Sequence, residues 1–116
     1  MLRVMCKAKI HRARVTKVDL HYDGSIGVDK TLLEAADIYP GEIVQVVNIN
    51  NGARFETYAI EETQGSGTIA LYGAAAHLGK IGDLIIILAY CLAPDKIAKK
   101  FKLKVVRVDS KNRPLK

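Results

Sequence analysis

Ile43-Val44-Gln45-Val46-Val47-Asn48 and Arg54-Phe55-Glu56-Thr57-Tyr58-Ala59-Ile60 flank the dipeptide Asn51-Gly52. Both runs are rich in β-branched and aromatic residues, which fit a pleated, half-buried surface. Asn-Gly takes the positive φ of a tight hairpin turn more readily than other dipeptides. The stretch therefore predicts two antiparallel strands. Toward the N-terminus, alternation over Met5 to Thr16 predicts a first strand with Lys7, Lys9 and His11 on one face. Thr31-Leu32-Leu33-Glu34 has the pattern of a capping box, so a short helix is expected there, ending before Pro40-Gly41. Toward the C-terminus, Gly65-Ser66-Gly67 turns the chain into a strand over Thr68 to Tyr72. An alanine-rich segment then leads through Gly79 and Gly82-Asp83 into a strand over Leu84 to Leu92. Pro94-Asp95 opens a last helical turn, and Leu103 to Val108 reads as a final strand. Short strands with little helix indicate a mainly β chain closed into a small barrel, whose topology the pattern leaves open.

The chain has 116 residues, enough for one domain with one core. The apolar run Leu84 to Ala93 is too short to span a bilayer and reads as a buried strand. No charged, apolar and cleavable series opens the chain, so no signal peptide is expected and a cytoplasmic location is. Cys6 and Cys91 are far apart in sequence, in no metal or redox spacing, and each lies in an apolar run; buried reduced thiols are expected. The net charge is +6, but residues 96–116 alone carry nine basic residues against Asp109. The body is close to neutral and the excess forms a basic C-terminal extension over residues 95–116. Basic tails can grip phosphates, yet no alternating basic and aromatic face is present for base stacking, so a nucleic-acid partner is not expected.

Tyr22-Asp23-Gly24-Ser25 carries the chemistry. Glycine does not shield its own carbonyl, and the following serine hydroxyl can attack it, turning the amide into an ester. β-Elimination then leaves dehydroalanine, which loses ammonia in water and becomes a pyruvoyl group. Asp-Gly-Ser is equally an ordinary turn, and the tripeptide alone does not decide between the two.

The surrounding segments resemble one family. His11-Arg12, Asp19-Leu20-His21-Tyr22-Asp23-Gly24-Ser25-Ile26, Asn51-Gly52-Ala53-Arg54-Phe55, Thr57-Tyr58-Ala59-Ile60 and Gly73-Ala74-Ala75-Ala76-His77 are similar, in one register from about Met1 to Pro94, to the bacterial aspartate 1-decarboxylases. The resemblance implies a six-stranded double-psi β-barrel with short helices, assembled as a homotetramer with sites between subunits. It implies a proenzyme, residues 1–116, that cleaves into 1–24 (β chain) and 25–116 (α chain). The cofactor would be the pyruvoyl group made from Ser25, with neither a metal nor pyridoxal phosphate. The substrate would be L-aspartate, converted to β-alanine and CO2 for pantothenate biosynthesis. Whether maturation uses a helper protein is left open.

Residue roles follow from the same resemblance. Ser25 would supply the ketone that forms a Schiff base with the substrate amine and accepts the electron pair as CO2 leaves. Tyr58 would be the proton donor. Gly24, Ser25 and Thr57 would take part in self-cleavage, Thr57 by polarising the Gly24 carbonyl or steadying the oxyanion formed on it. Lys9, Arg54, Thr57, Gly73, Ala74 and Ala75 would contact substrate. Arg54 is the better carboxylate anchor, because a guanidinium grips both oxygens. Arg54 and Tyr58 are four residues apart and so share one strand face. His11, Tyr22 and Tyr72 are secondary candidates. His21 and His77 lack metal-ligand spacing and read as structural. Tyr72 departs from the family, which usually carries Asn just before Gly-Ala-Ala-Ala; tyrosine is larger and offers only a hydroxyl. Two other readings remain at this stage: a non-catalytic barrel that binds nucleic acid through its basic tail, and a pyruvoyl enzyme acting on another acidic amino acid.

Overall fold

The computed structural model describes all residues, Met1–Lys116. The strands are β1 (Leu2–Arg14), β2 (Lys17–Asp19), β3 (Ser25–Asp29), β4 (Ile43–Asn48), β5 (Arg54–Glu62), β6 (Ile69–Tyr72), β7 (Leu84–Pro94) and β8 (Lys104–Arg107). Helix α1 spans Lys30–Ala36, a 3-10 segment spans Gly73–Leu78, and α2 is the single turn Asp95–Ala98. The expected hairpin is present: β4 and β5 pair antiparallel from Ile43↔Tyr58 to Val47↔Arg54, with Gly52 at φ 76° in the turn.

The chain is mainly β, as its pattern predicts, but the strands number eight rather than six. They form one ladder in the order β2-β6-β3-β5-β4-β7-β1-β8, compatible with a small barrel. Two strands escaped the sequence reading, β2 and β3. Both are short, and each joins the ladder through a parallel partner distant in sequence, β6 for β2 and β5 for β3. Alternate residues of the longer strands meet inside: Ile10, Val44, Val46, Ile85 and Ile87 are buried together with Ile26, Val28, Ile69 and Leu71. Leu32 and Leu33 of α1 complete this core.

The apolar run in β7 is buried on one face only. Ile85, Ile87 and Ala89 point inward, whereas Tyr90 and Leu92 are exposed. A continuous apolar strand normally has both faces covered; here the second face is open within one copy of the chain.

The helix start differs from the expected capping box. Asp29, not Thr31, is the N-cap, and its carboxylate accepts from Thr31 N at 2.8 Å. It also accepts from Gly65 N at 2.9 Å and Gly67 N at 2.8 Å, so one buried side chain ties β3, α1 and the loop before β6 together. Asp37 closes the helix in the left-handed conformation.

The basic C-terminal stretch is more than a solvated tail. Strand β8 pairs parallel with β1, from Ala8↔Lys104 to His11↔Arg107. Beyond it, buried Asn112 donates to Arg14 O (2.8 Å) and Gly67 O (2.9 Å) and accepts from Arg14 N (2.8 Å). The cysteines are free and only half-buried; they sit on neighbouring strands, since Cys91 pairs with Met5. Burial pushes the Cys6 thiol up. No helix is long and apolar enough to cross a membrane.

Burial alone would raise the Asp29 carboxyl, but the amides of Gly67, Thr31 and Gly65 outweigh it and hold the group below the usual carboxylate range. A depressed carboxylate stabilises the fold above its unfolded value, about 4, and that stabilisation is lost as pH falls through the folded value. Asp29→Asn replaces one acceptor oxygen by a donor facing an amide. It should cost about 1–3 kcal/mol at neutral pH, and the gap to the unaltered protein should shrink below about pH 4, both read from denaturant melts across pH.

Candidate active site

Ser25 is the first residue of β3, a central strand whose five residues are all buried. It runs parallel to β5, with Ile26↔Ala59, and antiparallel to β6, with Ser25↔Tyr72. One step back along the parallel pair sets Ser25 beside Tyr58. Ser25 is 1% exposed, and its hydroxyl donates to Asp23 O at 3.0 Å. The residues before it, Leu20 to Gly24, are exposed. The Gly24-Ser25 peptide thus lies at the step from a surface loop into the sheet.

Gly73 explains how this step is packed. Its φ is +65°, and a Cβ built on it would lie 2.7 Å from Gly24 Cα and 2.8 Å from Gly24 N. Only glycine allows that approach with that backbone. Gly24 itself has open space around a built Cβ and does not occupy the left-handed region. Its glycine is therefore not demanded by the fold.

A cavity of about 310 Å³ opens beside this junction, lined by Gly24, Phe55, Glu56, Thr57, Ala74, Ala75 and Leu78. It unites four of the predicted residues: Gly24, Thr57, Ala74 and Ala75. Phe55, Glu56 and Leu78 were not anticipated; they lie next to predicted residues in sequence but carry no motif of their own.

Arg54 and Tyr58 do share the outer, exposed face of β5, as their spacing requires. Arg54 donates from Nη1 to Gln45 Oε1 at 2.8 Å, and Tyr90 OH donates to the same oxygen at 2.7 Å. Register extends this face. Lys9 pairs with Leu88, which pairs with Gln45, which pairs with Glu56. His11 pairs with Ile86, Ile86 with Val47 and Val47 with Arg54. Cross-strand partners point to the same side of a sheet, so Lys9, His11, Arg54 and Tyr58 lie on one outer face. Tyr58 alone of the four stands beside Ser25 in register, whereas Lys9 and His11 lie on β1. From β1 to β3 is four strand steps, about 19 Å across the sheet.

His11 instead lines a separate cavity of about 390 Å³ with Arg12, Arg14 and Arg107. Burial and the cations Lys9, Arg107 and Arg12 lower its pKa, so it is neutral at neutral pH.

Tyr22 and Tyr72 pack ring to ring, with centroids 4.7 Å apart. The Tyr72 hydroxyl donates to Glu62 Oε2 at 2.8 Å. Burial, with the bond to Glu62 and its charge, pushes the Tyr72 phenol up to about 12, so it stays protonated. Glu62 had no local signal; only the fold brings it under Tyr72.

The sequence profile described as "Aspartate decarboxylase" matches residues 1–115. The chain is 58% identical over 115 residues to "Aspartate 1-decarboxylase" of Thermoanaerobacter pseudethanolicus (strain ATCC 33223 / 39E), covering 99% of this chain and 98% of that one. It is 53% identical over 115 residues to "Aspartate 1-decarboxylase" of Syntrophobacter fumaroxidans (strain DSM 10017 / MPOB), covering 99% and 93%. With a match over nearly its whole length, the chain belongs to the aspartate decarboxylase family.

Proposed function

We propose that the chain cleaves itself between Gly24 and Ser25 and then decarboxylates L-aspartate at its α-carbon, releasing CO2 and β-alanine for pantothenate biosynthesis. The observation that carries this reading is the junction itself: a buried serine after a sterically unneeded glycine, opening on a cavity suited to a small amino acid. In cleavage, Ser25 Oγ adds to the Gly24 carbonyl carbon and its proton passes to the departing nitrogen, which becomes the free amine of the resulting ester. Elimination expels the Gly24 carboxylate and leaves a dehydroalanine at position 25. Addition of water and loss of ammonia complete the ketone.

That ketone supplies the electron sink that α-decarboxylation needs. This chain's own residues do the rest. Thr57, on the cavity wall beside Gly24, steadies the oxyanion that develops during cleavage. Gly73, Ala74 and Ala75 present backbone to the substrate without crowding it. Tyr58, alongside Ser25 in register, returns a proton to the α-carbon after CO2 departs. Arg54 holds a substrate carboxylate, and Gln45 aims it in turn.

Lys9 and His11 serve the site of a neighbouring copy. The place of both on β1, four strand steps from Ser25 along the ladder, and the uncovered apolar face carrying Tyr90, Leu92, Val4 and Ile43 support a homotetramer with sites between subunits. Association would cover that face.

Intact mass under denaturing conditions tests the reading directly. Two fragments dividing after Gly24 are expected, the larger lighter by one ammonia than a serine-started chain; Ser25→Ala should stay one chain and be inactive. Gly24→Ala should fold with stability within about 1 kcal/mol of the unaltered protein and cleave slowly. Gly73→Ala should lose about 2 kcal/mol or more from strain and overlap, measured by thermal melting. Arg54→Lys in the matured enzyme should raise KM for aspartate about tenfold through loss of the bidentate grip, with a smaller effect on kcat.

A further inference from the structure

A set of contacts around the junction is left unused by the chemistry above, and they form a chain. Tyr72 is the last residue of β6 and pairs with Ser25 across the ladder. Its ring packs on Tyr22, two residues before the scissile peptide. Its hydroxyl donates to Glu62, the last residue of β5, at 2.8 Å. Glu62 in turn lies across Gly27 of β3: a Cβ built at Gly27 would overlap its carboxylate. Lys17 Nζ stands 5.4 Å from the centre of the Tyr72 ring, on the strand that precedes the loop.

Tyr72 is 4% exposed, whereas Tyr22 is 54% exposed on a loop that is otherwise solvent-facing. The buried ring is thus the platform and Tyr22 the exposed partner resting on it. A phenol bonded to a carboxylate at this distance is a charge-assisted pair, stronger than a neutral hydrogen bond. It fixes the ring about the bond that would otherwise let it turn away. Reaction between adjacent groups depends steeply on such placement, because an ångström of drift between attacking oxygen and carbonyl carbon removes the advantage of proximity.

We propose that Tyr22, Tyr72 and Glu62 are a positioning clamp for self-cleavage, holding the loop side of the Gly24-Ser25 peptide through the paired rings and the sheet side through Glu62 against β3. None of the three touches the reacting atoms; each acts by keeping the Gly24 carbonyl within reach of Ser25 Oγ. The inference rests on the self-cleavage reading. It makes Gly27 part of the device, since the missing side chain there is what lets Glu62 lie beneath Tyr72.

The test follows cleavage of freshly purified full-length precursor by intact mass against time, with thermal melting to confirm folding. Tyr72→Phe keeps the ring and removes the hydroxyl; Glu62→Ala removes the acceptor; Glu62→Gln keeps one. Tyr72→Phe and Glu62→Ala should each slow cleavage about tenfold, and the double variant should be no slower than the slower single one. Glu62→Gln should stay within about threefold of the unaltered chain, the rescue a general loss of packing would not give. Singles that cleave at the unaltered rate, effects that multiply to about a hundredfold, or Glu62→Gln as slow as Glu62→Ala would each overturn the clamp while leaving self-cleavage standing. An unaltered chain that stays whole after prolonged warming would instead overturn the self-cleavage reading, and the clamp with it.

Discussion

Strand β3 is held on both edges by partners running in opposite directions, β5 parallel and β6 antiparallel. That double pairing is the constraint on which the rest of the site depends. A parallel pair cannot be closed by a short turn; it needs a long crossover. The crossover from β3 to β5 holds α1 and β4, and its entrance is locked by Asp29. The same pairing puts Ser25 at a strand's first residue, anchored on its C-terminal side by four buried positions and exposed on the other. A terminus created there, as the proposed cleavage requires, would stay embedded in the sheet.

Close packing and polar bonding divide the work around that bond. On one side Gly73 brings backbone against backbone, a contact that any side chain would prevent. On the other, Asp29 and Asn112 satisfy amides and carbonyls from segments far apart in sequence, including Gly67, which both of them reach. Buried polar groups are costly unless bonded, and here each is bonded at several atoms. The result is a rigid frame with an exposed loop, Leu20 to Gly24, entering it at one point.

Legibility followed the range of the interactions. The β4–β5 hairpin was readable because Asn51-Gly52 and the flanking runs lie within 18 residues. The alternation of β1 and the turn before β6 were readable for the same reason. The capping pattern at Thr31 misled because Asp29, two residues earlier, offers the same chemistry and is also claimed by Gly65 and Gly67. β3 was hidden because Ser25 to Asp29 is too short to show a period and contains Gly27. The β7 run suggested burial on both faces, and a single copy buries one. At the site, Gly24, Thr57, Ala74 and Ala75 were named from the family resemblance and line one cavity; Glu62 lies at a strand end and could not be named.

By itself the sequence determined the β-rich pattern, the hairpin and the shared face of Arg54 and Tyr58, because each rests on spacing along a few residues. Only the tertiary structure decided that Gly73 seats against Gly24, that Glu62 holds Tyr72, that the basic end is an edge strand, and that Lys9 stands four strands from Ser25. Those facts depend on strand order and register, which arise from pairing between segments tens of residues apart. No local pattern encodes that pairing, because it is chosen by the burial and hydrogen bonding of the whole sheet at once.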